Sequence, residues 1–226
     1  MAAGEGRRLR PLTERWAKPV LPIDGRPVIA HVVRELADAG CAPITVVTGH
    51  LAEQVEDLLG DGGGFGVELR YVRQPRADGS ADAVCRALAD GASAPALLVA
   101  ADTVYDRGAL GRFRREWEAS AAPGAIGIRH GQPRSGGKFT IEVRDDDVVR
   151  VVVEDPAGAF TPAPLWALGE AIVPQLDGLP GPPYELGDAY QRAIDAGAQV
   201  RAILIGGTRD VTAPEDLVVE NFPYLA

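Results

Sequence analysis

The most cationic stretch of this acidic chain lies at its beginning, beside glycine. Residues 1 to 20 hold Arg7, Arg8, Arg10, Arg15 and Lys18 against Glu5 and Glu14, a local charge of +3 in a protein of net charge −9. Gly4 and Gly6 stand directly before the arginines. A glycine-bearing turn exposes backbone N–H groups, and with fixed cations aimed into the same space it can cradle phosphates. The same charges also suit a solvated basic face. Lysine is scarce: of 23 basic residues only Lys18 and Lys138 are lysine, and a chain that uses arginine elsewhere can reserve a compact ammonium for places that need one. The apolar run Ala96 to Ala100 reads as a buried strand that delivers Asp102 at its carboxyl end.

The elements that must position these groups alternate strand and helix, which predicts a mainly parallel sheet with both faces covered. Pro27 to Ala39 reads as a helix with Val28, Ile29, Val32, Val33 and Leu36 on one face, closed by Gly40. Ile44 to Thr48 is a β-branched strand, Leu51 to Leu59 a short helix and Val67 to Arg73 a strand. Ser80 to Leu88 is a helix with Ser80 as its expected N-cap, and Arg107 to Glu118 is a polar helix. After Pro123 three strands are expected (Ala125 to Arg129, Phe139 to Val143, Val148 to Val153), forming an antiparallel lid inserted over about residues 124–165. A helix near Asp188 to Ala196, a strand Val200 to Ile205 and a helix Pro214 to Glu220 complete the chain. The glycines between 60 and 66 read as a helix-to-strand loop.

Composition narrows the class. With 226 residues, 46% hydrophobic and 24% charged, the chain can bury a core without staples. Two cysteines, Cys41 and Cys85, make no disulfide framework and lack metal spacing, which fits a reducing cytoplasm. No apolar run is long enough to span a bilayer, and the negative charge argues against nucleic-acid or anionic-membrane binding. His31, His50 and His130 lack metal spacing and are expected to be structural. Trp166 is expected to pack in the core.

One opening segment carries a specific resemblance. Ala2-Ala3-Gly4-Glu5-Gly6-Arg7-Arg8-Leu9-Arg10-Pro11-Leu12-Thr13, followed by Lys18-Pro19-Val20-Leu21-Pro22, resembles the signature loop of the sugar-phosphate nucleotidyltransferases. Further matches follow in order. Gln74-Pro75 with Gly79-Ser80-Ala81-Asp82-Ala83 is similar to the base-reading turn, Ala101-Asp102 to the metal-binding aspartate, and Glu154-Asp155-Pro156 to E-K-P. Glu185-Leu186-Gly187-Asp188 resembles E-L-T-D, and Arg209 to Leu217 resembles the closing D-x-G-T-P-E-D-L. The resemblance implies a Rossmann-like three-layer α/β/α fold, read as a single nucleotidyltransferase domain over 1–226 without a C-terminal β-helix domain. It implies transfer of a nucleotidyl group from a nucleoside triphosphate to a sugar 1-phosphate. Arg8 and Lys18 would be catalytic. Ala3, Gly4, Gly6, Gln74, Gly79 and Ser80 would hold the nucleotide, Asp102 and Asp210 a Mg²⁺, and Lys138, Glu154 and Asp188 the acceptor. Expected partners are the triphosphate and a sugar or alcohol phosphate, with a homo-oligomer allowed and neither nucleic acid nor membrane.

The sequence also departs from that pattern. Met1 stands where the family has a residue of a preceding hydrophobic strand, so a strand of about 5–6 residues is expected to be missing from mid-sheet. Asp155 replaces the E-K-P lysine, a role Lys138 could take. Gly187 replaces the threonine of E-L-T-D, and Pro164-Leu165-Trp166 replaces an asparagine-bearing turn. These changes keep two alternatives open: a cytidylyltransferase acting on an alcohol phosphate, or a catalytically silent nucleotide-binding regulatory homologue.

Overall fold

The β-branched runs become strands, and the runs with apolar residues three and four apart become helices, in a computed structural model that describes residues 1–130, 139–153 and 160–222. In chain order these are β1 (Pro22–Ile23), β2 (Arg26–Pro27), α1 (Val28–Asp38), β3 (Ile44–Thr48), α2 (Ala52–Leu59), β4 (Leu69–Arg73), α3 (Ser80–Ala89), β5 (Ala96–Val99) and β6 (Thr103–Tyr105). Then follow α4 (Ala109–Ser120), β7 (Gly124–His130), β8 (Phe139–Arg144), β9 (Asp147–Val153), β10 (Phe160–Leu168), α5 (Leu186–Asp195), β11 (Val200–Leu204), β12 (Thr208–Asp210) and α6 (Pro214–Asn221).

The fold is α/β, but the mainly parallel sheet is corrected to a mixed one. The largest sheet runs β5-β10-β7-β11-β9-β8. Within it β7 and β11 are parallel, whereas β10 runs antiparallel to both β5 and β7. Only β3 and β4 form a second parallel pair of strands among the described residues. The expected lid is corrected as well. Of the 124–165 segment, β7 and β10 lie inside the main sheet, and the β8–β9 hairpin extends one edge of it. Strand β10 was hidden by its prolines, which remove ladder donors and normally argue against a central strand. The pairing with β7 is irregular between Pro162 and Trp166, so the prolines sit where the ladder is already broken.

Alternation along these strands divides the core into two layers. Ala125, Leu165 and Ala167 join α1 and α4 in one cluster with Val33 and Phe113. Ile126, Trp166 and Leu168 face the other way, toward Val84 of α3 and Tyr190 of α5. Trp166 is buried with its ring 4.8 Å from that of Tyr190, a core position. A third, small cluster of Leu9, Leu21, Ile23, Val28 and Val211 joins the start of the chain to the residue after Asp210.

Among the described residues, the first two carry the backbone hydrogen bonds between the β3–β4 pair and the main sheet. Ala2 bridges Thr48 in parallel register and donates to the Val47 carbonyl at 2.7 Å. The Met1 amino group donates to the Val99 carbonyl at 2.8 Å, and Ala101 N–H donates to Met1 at 2.9 Å.

Candidate active site

The glycine turn is built by close approach. Gly6 lies at φ +62°, and a Cβ there would come within 2.8 Å of Thr13 Cγ2, so glycine is required for both conformation and space. Thr13 Oγ1 donates to the Gly6 carbonyl at 2.9 Å, and Leu9, fully buried, pins the short 3-10 turn Arg7–Leu9. Gly49 admits Ala3, whose backbone would lie 2.7–2.9 Å from a Cβ at that position. Among the described residues, the N–H groups of Ala3, Gly4, Glu5 and Gly6 donate to no backbone carbonyl, and Gly4 faces open space. Such a row of donors suits an anion. Arg8 is exposed on this turn.

Lys18 opens a later 3-10 turn, Lys18–Val20, behind the buried Ala17. Gln54 braces that approach: its Oε1 accepts from Ala17 N–H at 2.8 Å and its Nε2 donates to the Arg15 carbonyl at 2.7 Å. The Lys18 ammonium forms an ion pair with Asp102. Burial alone would push the Asp102 carboxyl up, but the charge and hydrogen bond of Lys18 outweigh it and hold the group below its ordinary range.

Asp210 ends β12 and pairs across the ladder with Thr103, the neighbour of Asp102. Both carboxylates act on the buried phenol of Tyr105, whose pKa is raised first by burial and then by Asp102 and Asp210. One Asp210 oxygen, Oδ2, accepts from Arg129 Nη1 at 3.0 Å. The other, Oδ1, is buried with no hydrogen-bond partner among the described residues. A carboxylate oxygen is rarely left so, and an orphaned hard donor beside a second carboxylate fits Mg²⁺, which needs only one or two protein carboxylates and takes its other ligands from phosphates and water. Among the described residues no group of three or more His, Cys, Asp or Glu side chains gathers as a metal site, which matches this sparse donor set.

On the opposite rim, Gln74 is buried and its amide nitrogen donates to the Gly79 carbonyl at 3.0 Å and to Asp82 at 2.8 Å. Gly79, at φ +113°, packs so closely on the Tyr184 backbone that no Cβ fits. Gly79, not Ser80, occupies the N-cap position of α3, which corrects the expected cap. The Ser80 hydroxyl instead donates to Glu185 Oε2 at 2.6 Å and accepts from Leu186 N–H at 2.9 Å, so it serves the first turn of α5. Asp188 lies in that turn, its carboxyl raised by burial and by Glu185. Lys138 and Glu154 lie outside the described residues. Sequence reasoning missed Arg129, Tyr105, Gln54 and Gly49, whose partners are distant in the chain and leave no local signature. Of the histidines, His31 and His50 contact the backbone carbonyls of Ile23 and Thr13, and His130 packs on Phe160.

Known proteins resemble this chain in sequence and in fold. A Haloferax volcanii protein, the low-salt glycan biosynthesis nucleotidyltransferase Agl11, is 28% identical over 98% of this chain and 64% of its own. A glucose-1-phosphate thymidylyltransferase of Streptomyces griseus is 29% identical over 92% of this chain and 59% of its own. The chain therefore spans about 60% of the length of these two relatives. A crystal structure of UDP-glucose pyrophosphorylase complexed with UDP-glucose superposes with a TM-score of 0.85 at 20% identity, covering 99% of this chain and 96% of the other. At that identity it speaks for the fold. No helix among the described residues is long and apolar enough to cross a membrane. Residues 1–218, from the glycine turn to beyond Asp210, match the nucleotidyl transferase family model, and the chain belongs to that family.

Proposed function

We propose that the chain is a Mg²⁺-dependent nucleotidyltransferase that condenses a nucleoside triphosphate with a sugar 1-phosphate to give an NDP-sugar and pyrophosphate. The observation that carries this reading is the grouping of a glycine turn with N–H groups to offer, the Lys18 ammonium paired with Asp102, and Asp210, which faces the neighbour of Asp102 across the ladder and carries an orphaned oxygen. The sugar 1-phosphate follows the activity named for the Streptomyces relative. In this reading residues 1–226 act as one nucleotidyltransferase unit with Rossmann-like α/β/α layering. The unpaired cysteines Cys41 and Cys85 are compatible with a reducing cytoplasm.

The chemistry needs no protein nucleophile. A phosphate oxygen of the acceptor attacks the α-phosphorus in line, the bond from that phosphorus to the α,β-bridging oxygen breaks, and pyrophosphate leaves with the electron pair. Catalysis is then positioning and charge stabilisation. The N–H groups from Ala3 to Gly6 hold triphosphate oxygens. Arg8 meets the charge that moves toward the leaving pyrophosphate, and Lys18 sets a point charge by the α-phosphate. Asp102 and Asp210 would hold the Mg²⁺, which would supply neutralisation of phosphate charge. Gln74, with both amide hydrogens committed inward, has its carbonyl left for a base. That oxygen can accept from the ring N–H of uracil or thymine or from the amino group of cytosine, with the Gly79–Ser80 turn as the platform. Asp188 is assigned to the acceptor, and Lys138 and Glu154 share that assignment from the sequence resemblance alone.

Pyrophosphate release from four nucleoside triphosphates, each against a panel of sugar and alcohol phosphates, tests this reading. The expected result is turnover of a pyrimidine triphosphate with a sugar 1-phosphate, lost on the order of 10²-fold or more in Asp102→Asn. Preference for an alcohol phosphate would move the acceptor assignment to the cytidylyltransferase alternative. No release with any pair, alongside intact nucleotide binding, would make the chain a silent homologue.

A further inference from the structure

Gln74 follows β4 directly, and its N–H donates to the Thr48 carbonyl at 2.8 Å, which fixes the backbone from which its buried side chain departs. The side-chain nitrogen Nε2 meets two acceptors, the Gly79 carbonyl at 3.0 Å and Asp82 Oδ2 at 2.8 Å. Neither acceptor is free to turn away. The Gly79 carbonyl also takes the first helical bond of α3, from Ala83 N–H at 3.3 Å, and Gly79 is pressed against the Tyr184 backbone. Asp82 is held by Arg86, one turn along α3, whose Nε donates to the same Oδ2 at 2.6 Å. Burial pushes the Asp82 carboxyl up, but the bonds from Arg86 and Gln74 prevail and hold it below its ordinary range. It is therefore a carboxylate, which accepts and cannot donate. The remaining Gln74 atom, Oε1, accepts from no described residue and is not sealed from solvent. An inverted amide would set Oε1 against a carbonyl and a carboxylate, oxygen facing oxygen at both contacts, where little water can relieve the mismatch.

We propose that Asp82, braced by Arg86, is a positioning residue that locks the Gln74 amide in one orientation and thereby sets which kind of pyrimidine the site prefers. The proposal rests on the reading of Gln74 as the base contact. Uracil and thymine carry a ring N–H beside a 4-oxo oxygen, where cytosine carries a bare ring nitrogen beside a 4-amino group. Donor and acceptor thus exchange places between the two kinds of base. A side-chain amide exchanges its donor and acceptor in the same way when it turns over. A glutamine free to turn serves both kinds of base, one in each orientation, whereas a locked one serves one kind better. Asp82 acts through Gln74, and the oxygen it supplies matters more than its charge. Gln74 and Arg86 both donate to Oδ2, so an asparagine can fill the place with its own Oδ1 while an alanine cannot.

The test measures binding of UTP and of CTP by calorimetry, with Mg²⁺ present, to the unaltered chain, Asp82→Ala and Asp82→Asn. NMR of the Gln74 side-chain amide protons, without nucleotide, reads the lock itself. In the unaltered chain those protons should be protected from exchange and one nucleotide should bind better than the other. In Asp82→Ala the protons should exchange at least tenfold faster, and the ratio of the two affinities should fall on the order of tenfold or more toward unity. Asp82→Asn should keep most of the ratio and of the protection. An Asp82→Ala chain whose two affinities fall together at an unchanged ratio would show that Asp82 only supports α3, and would overturn the proposal. So would an Asp82→Asn chain that loses as much as Asp82→Ala, since charge rather than the accepting oxygen would then carry the effect. An unaltered chain that binds UTP and CTP alike, with its Gln74 protons protected, would instead refute Gln74 as the base contact, and the proposal would fall with that reading rather than with the lock.

Discussion

Asp210 holds two unequal oxygens, and the difference is made by Arg129. From the end of β7 the Arg129 guanidinium donates to Asp210 Oδ2 at 3.0 Å and also contacts Thr208 and Thr161, which fixes the carboxylate plane and leaves Oδ1 aimed away. On the opposite side of β12, Arg209 clamps Asp24 at 2.9 Å and Glu220 at 2.6 Å, so the strand that carries Asp210 is held from both faces. Arg129 is thus a positioning residue. Arg129→Met should weaken Mn²⁺ binding, read by calorimetry on the protein alone, about tenfold or more. Arg129→Lys should recover part of it, since one donor can still reach Oδ2. Tighter binding in Arg129→Met would mean that the arginine competes with the metal and the positioning role is wrong. Arg8, Lys18, Asp102 and Asp210 were legible because motif spacing marks them. Arg129 was not, because its partner is 81 residues away and only the folded ladder brings the two together.

At the scale of elements, the sequence reveals what is periodic and conceals what is paired. Helix α1 and strand β3 follow from apolar spacing and β-branching, and their ends fall at or next to the expected residues. Strand β10 does not, since Pro162 and Pro164 mask a run whose ladder is interrupted there. The role of Ser80 was misread for a related reason: a serine at a helix start suggests a local cap, but its hydroxyl is taken by Glu185 and Leu186, more than a hundred residues on. This exchange ties the start of α3 to the start of α5. Ser80→Ala removes a donor to a carboxylate and an acceptor for a first-turn N–H together. It should cost about 1–2 kcal/mol in urea unfolding, with exchange rising at Leu186 before the rest of the sheet opens. A loss below a few tenths of a kcal/mol would show that water replaces the hydroxyl and that the two helices are not coupled through it.

At the scale of the whole molecule, the junction between the β3–β4 pair and the main sheet is closed by the Met1 amino group, and this makes stability depend on pH. The amine is lowered from 8.0 to about 6, first by burial, with the Asp102 carboxylate opposing. In the unfolded chain it is protonated below about 8, whereas in the folded chain it stays neutral down to about 6. Between these values the unfolded state binds more protons, so stability rises with pH across the window and the penalty is fully present below about 6. Two units correspond to roughly 2–3 kcal/mol, or about 5–10 °C in a domain of this size. Other groups titrate in the same range, so the measurement is a difference between the chain as it stands and the chain with its Nα-amino group acetylated. Acetylation removes the charge and leaves an N–H that can still donate to Val99. The acetylated chain should melt higher at pH 6, with the gap closing toward pH 8 and changing little above it. Two parallel melting curves across pH 6 to 8 would show that the ammonium is hydrated in the folded protein and that the junction admits water.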